Sequence, residues 1–386
     1  MLVVQYAGDY RDTWRRLSQG GSDNYFAQGY SDRAIAELAQ DGNSVAILAG
    51  FTDEPYEEVL AKGITAIGLG AKGGVDEGSI VAYAERFDPT HVLLRAPFHA
   101  VLEWALARDT RIALTLADSF GTGLKAWLRS RKLVRLLNNP RVEWVANHGV
   151  AASGALVRIG VKPDKVVPWD WPHGNSPEQW ASKSLPSGKV PWKALYVGAV
   201  AELKGVGDAI EAIATLARNG MQVHLDVIGS GEDFSPLVAR LGLGESVTFR
   251  GRVPNAEIID AMREADVVLV PSRKEYPEGF PLTVYEALCS RTPIVASDHP
   301  MLAKKLFADR SAVVFSAGDP AELAKALQRL LSSPDLYAAL SAEASTTWQS
   351  LQVPVKWADF VRAWADGTPA GREWIGQHSW QRRHYE

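Results

Sequence analysis

The chain has 386 residues, enough for two domains of ordinary size that each bury a core. Hydrophobic residues make up 46% and charged residues 22%, and the net charge of −4 gives no electrostatic basis for nucleic-acid binding. One cysteine excludes an internal disulfide and fits a reducing compartment, and no apolar run approaches the roughly twenty residues of a membrane span. The opening MLVVQYAGDYRD turns acidic too soon for a signal peptide and reads as a first strand, so the expected location is cytoplasmic.

Strands and helices alternate from there. Strands are predicted at 2–6, 44–49, 65–68, 91–95, 112–116 and 142–146, with helices at 24–38, 79–87, 100–108 and 124–137. This alternation implies a parallel sheet with helices on both faces. Gly20 and Gly21 admit close approach of backbone to a ligand, or form a flexible turn with Ser22 or Asp23 as a helix cap. Gly68-Leu-Gly70-Ala-Lys-Gly73 has the G-x-G-x-x-G spacing. No helix begins at its third glycine and no acidic residue closes the following strand, so it reads as a loop. Arg95 to His99 end one strand and Asp118 ends the next, and such strand ends line ligand crevices in α/β sheets. Asp118 reads equally well as a helix N-cap and His99 as an ordinary first-turn residue. Lys125, Arg129, Arg131, Lys132 and Arg135 share a helix with Trp127, Leu128, Leu133, Leu136 and Leu137. That helix is either a solvated surface face or a surface for an anionic membrane or acceptor.

A Ser-, Pro- and Gly-containing stretch at 182–191 reads as the linker. Alternation restarts with strands at 194–197, 222–228 and 247–250. The intervening turns carry Gly198, Lys204, Gly205, Gly229, Gly231 and Arg252, and Asn255 is placed to cap a helix. Lys204 taken alone reads as a solvated loop lysine. Segment 266–298 then reads as strand, loop, helix and strand, with Pro281 suited to the helix's first turn. Glu278 precedes this helix and Glu286 lies two turns inside it. By spacing alone they are a helix-start charge and a solvent-facing glutamate, although a strand-to-helix loop is also where such sheets bind ligands. Cys289 sits on the helix's apolar face and reads as core. From Asp319 onward the chain reads as helical, and Trp348, Trp357, Trp364, Trp374 and Trp380 predict a packed tail.

PEGFPLTVYEAL followed by PIVASD resembles the E-x7-E signature of retaining glycosyltransferases of the GT-B fold, especially glycosyltransferase family 4, with Glu278 and Glu286 as its glutamates. The resemblance extends through LYVGAVAELKGVGDAIEAI, VIGSGE and VTFRGRVPNAEIIDAMREADVVLVPS, and is loose in the N-terminal half. It implies two Rossmann-like α/β domains with parallel sheets facing across a cleft. The first, 1–187, is the acceptor side and is rejoined by helices 350–386; the second, 188–349, binds the nucleotide sugar. It implies a UDP- or GDP-sugar donor, a saccharide or lipid-linked saccharide acceptor, peripheral contact with the inner face of the cell membrane in the second case, and no metal or other cofactor. No D-x-D sequence occurs in the chain.

On this resemblance the catalytic residues are Lys204, Glu278 and Asp118. Donor binding falls to Gly20, Gly21, Gly198, Gly229, Arg252, Gly279, Phe280, Pro281, Leu282 and Glu286, and the acceptor side to Arg95 and His99. Glu278 would hold the donor sugar and Glu286 the ribose. Two departures stand out. Asp118 occupies the approximate place of the family's usual histidine, and Ala199 replaces the arginine of the diphosphate loop, leaving Lys204, with Arg252 and Arg273 as the next cations. A silent nucleotide-sugar-binding partner, or a GT-B-fold epimerase or phosphorylase, are the alternatives.

Overall fold

Val, Ile, Leu and Ala dominate the strand segments with little alternation, which suits parallel strands covered on both faces. The computed structural model describes residues 1–21, 28–40, 43–118, 120–121, 124–276, 281–302, 306 and 310–385. Its first sheet contains β1 (Leu2–Ala7), β2 (Val45–Phe51), β3 (Pro55–Ala61), β4 (Ile64–Leu69), β5 (His91–Leu94), β6 (Arg111–Leu116), β7 (Val142–His148) and β8 (Val166–Trp169). Their order is β3-β4-β2-β1-β5-β6-β7-β8, and β3 alone runs antiparallel to its neighbour. The second sheet contains β9 (Trp192–Val197), β10 (Val223–Ile228), β11 (Val247–Gly251), β12 (Val267–Val270), β13 (Ile294–Ser297) and β14 (Val313–Phe315). It is parallel throughout, in the order β11-β10-β9-β12-β13-β14. The expected pair of parallel-sheet α/β domains is therefore present.

The chain divides into one unit of Met1–Pro172 with Val353–Glu386 and another of His173–Gln352. The first boundary falls earlier than the expected 187/188, because the stretch after Pro172 packs on the second unit. Lys183 donates through Nζ to the carbonyl of Arg263 at 2.8 Å, and Arg291 donates to the carbonyl of Pro177 at 2.7 Å. The tail is bound to the first unit by backbone pairing. The amide of Asp170 donates to the carbonyl of Val355, and the amide of Trp357 donates back to the carbonyl of Asp170. Trp357 and Trp364 are fully buried there, and the Trp357 indole donates to Thr115 Oγ1 at 3.2 Å.

Four elements of the first unit are not among the predicted ones. Strand β3 carries PYEEVLA, an edge strand with acidic residues whose outward face hides its period. Strand β8 is only four residues long. Helix Tyr10–Ser18 averages strongly polar and is capped by Asp9, whose carboxylate accepts from the Asp12 amide. Helix Val150–Ile159 is rich in alanine and glycine and begins at Gly149 without a side-chain cap.

Replacing Trp357 with alanine removes a wholly buried side chain and a buried hydrogen bond. It is expected to lower stability by about 3–5 kcal/mol, read as a lower urea midpoint with an unchanged slope.

Candidate functional site

In open parallel sheets the crevice lies at the carboxyl ends of the strands, where the strand order reverses. In the second unit that reversal falls between β9 and β12. The chain leaving β9 passes through Gly198, a short 3-10 turn at Glu202–Lys204, and Gly205, then enters helix Val206–Arg218. A Cβ on Gly205, which holds φ +76°, would strike the carbonyl oxygen of Pro271 beyond β12. Gly229 follows β10 with φ +142°, and a Cβ there would strike the carbonyl oxygen of Gly198. Only glycine lets these backbones close on one another.

Arg273 joins the two sides of the reversal. Its guanidinium donates to both carboxylate oxygens of buried Asp208, at 2.8 and 2.6 Å, and lies 2.6 Å from Glu202. Its own amide donates to the carbonyl of Leu203. The Asp208 carboxylate holds the guanidinium charged well above its ordinary range. Arg273, expected as a reserve cation for the diphosphate, is thus engaged in building the loop. Lys204 is half-buried, with Nζ 4.3 Å from the centroid of the Tyr276 ring. Arg252 is exposed and donates through Nε to Ser230 Oγ at 2.8 Å. Ala199 uses its carbonyl to accept from the Tyr196 hydroxyl at 2.6 Å.

Helix Leu282–Ser290 starts beside the end of β9, since Thr283 donates through Oγ1 to the carbonyl of Val197 at 3.2 Å. Pro281 is its N-cap residue, with extended ψ of 128°, and Leu282 is the first helical residue. This differs from the expected first-turn place of Pro281 by one step. Glu286 is not a solvent-facing glutamate. Its carboxyl group is enclosed, although the residue keeps some exposure elsewhere, and Asn255 donates to Oε1 at 2.9 Å. Burial pushes its pKa up to about 7, against the opposing hydrogen bond from Asn255. Asn255 is therefore not a helix cap; Pro254 takes that position in the 3-10 turn Asn255–Glu257. Cys289 is core as expected, its thiol buried and pushed up to about 12 by desolvation. Glu278, Gly279 and Phe280 lie outside the described residues.

The reversal in the first sheet falls between β1 and β5. Arg95, just past β5, donates to Gln5 Oε1 at 2.8 Å and lies 5.3 Å over the Trp357 ring. His99 opens helix His99–Leu106 and is half-buried. Asp118 is not seen capping a helix. Its carbonyl accepts from Asn147 Nδ2 at 2.9 Å, while buried Oδ2 has no hydrogen-bond partner among the described residues. Burial raises its pKa. Gly20 and Gly21 close the end of helix Tyr10–Ser18, where the Gly21 amide returns to the Arg16 carbonyl at 3.0 Å. Ser22, Asp23 and Ser119 lie outside the described residues. Helix Leu124–Leu137 buries Leu133 and Leu137 and exposes Leu128, Arg129, Arg131, Lys132 and Arg135, with Lys132 2.8 Å from Glu103. The side chains of Lys125 and Trp127 lie outside the described residues. A cavity lined by Met1, Asn43, His91 and Asp366 opens instead at the amino ends of β1 and β5.

Glycine-closed turns, a shared carboxyl edge and an enclosed carboxylate now stand together in the second unit. Residues 179–347 match the family model for glycosyl transferases group 1. A curated relative, the 2-deoxystreptamine glucosyltransferase of Streptomyces kanamyceticus, is 33% identical over 142 residues, 36% of this chain and 36% of the relative. The chain thus spans little more than a third of that relative's length. Among solved structures, sucrose-phosphate synthase from Thermosynechococcus elongatus aligns over 97% of both chains with TM-score 0.65 and 18% identity. Anabaena HepE in complex with UDP-glucose aligns over 91% of this chain and 94% of that one, with TM-score 0.63 and 16% identity. These structural neighbours are GT-B glycosyltransferases, and the fold of this chain is theirs.

Within the group 1 segment, two contacts were not foreseen. Asp208 had a readable signal, an acid within the apolar start of a buried helix, which requires a cation. Asn255 had none, because a residue of its type after proline suits a cap equally well.

Between pH 4.5, the ordinary value for Glu286, and about 7, the folded chain keeps a proton that the unfolded chain has lost. Stability therefore falls as pH rises through that window and stays reduced above it. Glu286→Gln keeps the shape and removes the charge. It is expected to be more stable than the native chain at pH 8, by at most about 3 kcal/mol at roughly 1.4 kcal/mol per pH unit. The advantage should shrink towards pH 4.5 in urea titrations run at both values.

Proposed function

We propose that the protein is a retaining glycosyltransferase of the family 4 type, moving a sugar from a UDP- or GDP-sugar to an acceptor hydroxyl. The observation that carries this reading is the enclosed Glu286 carboxyl, held by Asn255 on a helix that starts against the end of β9. A desolvated carboxyl is costly to keep and gains most from a ligand that donates to it. A ribose diol offers two such donors.

In the reaction, the bond between the sugar C1 and the diphosphate oxygen breaks. A new bond forms from C1 to the acceptor oxygen on the same face, and the acceptor proton passes to the departing diphosphate. Charge gathers on the leaving group, so fixed cations and helix amides lower the barrier. Lys204 and the amino end of helix Leu282–Ser290 have these parts. Glu278 holds the hydroxyls of the donor sugar, with Gly279 and Phe280 beside it, and Gly198, Gly229 and Arg252 line the nucleotide. Asp118 acts at the reacting centre, and Arg95 and His99 serve the acceptor. HepE's complex with UDP-glucose and the name of the S. kanamyceticus relative favour a glucosyl donor and a ring polyol acceptor. Saccharide or lipid-linked saccharide acceptors of surface polysaccharide or glycolipid synthesis have the same chemistry. A lipid-linked one would bring the basic face of helix Leu124–Leu137 to an anionic membrane. Among the described residues no helix is long and apolar enough to cross one.

Transfer from UDP-glucose should survive excess EDTA; loss of turnover restored by magnesium or manganese would overturn the cation assignment. Lys204→Ala should lower kcat about a hundred- to a thousandfold with a smaller change in KM, the usual cost of one donor to a developing oxyanion. Ala199→Arg should restore part of that loss. Near-normal kcat in Lys204→Ala would reduce this lysine to a loop residue.

A further inference from the structure

Three aromatic rings gather at the carboxyl end of the first sheet, beside its reversal. Tyr6 is near the end of β1, Phe51 ends β2, and Phe98 follows β5. Tyr6 and Phe51 are stacked, with centroids 6.4 Å apart and planes 24° apart. Phe98 is buried beneath, 4.7 Å from Tyr6. The upper two rings remain 44% and 38% exposed, which makes them unusual among the large apolar side chains of this chain. Tyr6 is packed against the buried Phe98 ring, which limits the freedom of the exposed pair.

Carboxylates act on this surface, while the Arg95 guanidinium is turned to Gln5 and lies over the Trp357 ring. Burial, then the Asp118 and Glu77 carboxylates, raise the pKa of the Tyr6 phenol, and no cation contributes among the described residues. Glu77 is already used, accepting the Ala100 amide at 2.5 Å. Asp118 Oδ2 is not: it is buried and without a hydrogen-bond partner among the described residues. A buried carboxylate oxygen in that condition is expensive unless a ligand supplies a proton to it.

We infer that Tyr6 and Phe51 are the platform for the acceptor, a ring polyol or amino sugar that lays its C–H face on the two rings and donates a hydroxyl or ammonium proton to Asp118. The inference rests on the glycosyltransferase reading for the word acceptor, and adds to it the class of acceptor: neutral or cationic, not phosphorylated or carboxylated. Aromatic faces suit the C–H face of a saturated ring and attract a cation through their quadrupole. The neighbouring carboxylates repel an anion.

The test is direct binding to the full chain without nucleotide, using methyl α-D-glucoside, D-glucosamine and D-glucose 6-phosphate as probes in calorimetry and saturation-transfer NMR. Glucoside and glucosamine should bind, and the phosphate at least about tenfold more weakly, the scale of one unfavourable charge contact. Tyr6→Ala and Phe51→Ala should each weaken binding about tenfold, as truncation of an aromatic anchor does. Tyr6→Trp, which keeps the stack, should bind within about threefold of the native chain. Asp118→Asn should abolish the preference for glucosamine over glucoside. Since both rings are exposed, the Tyr6 and Phe51 variants should keep the native urea midpoint and the native affinity for UDP. Tighter binding of the phosphate, no binding of any probe, or full binding by both alanine variants overturns the platform. The underlying reading is tested separately: if the binding pattern holds but the chain neither transfers nor hydrolyses any nucleotide sugar, the platform stands and the glycosyltransferase assignment falls.

Discussion

The geometry at the carboxyl edge of the second sheet depends on one guanidinium. Arg273 leaves β12, yet its side chain is tied to Asp208 in the first turn of the helix that follows β9, and to Glu202 in the turn before it. Asp208 is almost wholly buried. Taking the Asp208 charge out of water is costly, so the pair adds little net stability compared with apolar residues of the same size. Its effect is on shape. Removing Arg273 would strand the buried Asp208 charge, so the loop that carries Gly198, Lys204 and Gly205 has one arrangement relative to the chain beyond β12. The close approach of Gly205 to the Pro271 carbonyl is the same constraint expressed in backbone.

Glu286 shows the opposite arrangement of a buried charge. Among the described residues it has one neutral partner, Asn255, and no cation to offset its desolvation. A carboxyl kept in that state lowers the stability of the empty chain above its ordinary pKa. Such a cost persists at functional sites when a ligand relieves it, which is the physical reason for giving Glu286 the ribose. Cys289, on the same helix, has a comparable desolvation and no comparable consequence, because a neutral thiol is content in the core.

Much of the fold was legible because parallel strands announce themselves as short apolar runs. All the strands predicted in the first sheet are present, whereas β3 and β8 were hidden, one by acidic residues on an exposed edge and the other by brevity. The site was legible where a residue's role is local. Cys289 and the glycine turns follow from their immediate neighbours. Pro281 was one position off because a proline fits an N-cap and a first turn almost equally. Roles that need a distant partner could not be read this way. Arg273 looked like a spare cation because Asp208 is far from it in sequence, and Glu286 looked solvent-facing because its enclosure depends on Asn255, thirty-one residues away.

Consumption of Arg273 narrows the chemistry left for a departing diphosphate. With Ala199 in the loop and Arg273 bound to two carboxylates, the described cations on this edge come down to Lys204 and Arg252. Arg252 is exposed and bonded to Ser230, where water weakens its field. Lys204 is half-buried above the Tyr276 ring, whose face favours an ammonium and orients it. On the proposed reading, the electrostatic work usually divided between an arginine and a lysine falls chiefly on a lysine that the ring already holds in position.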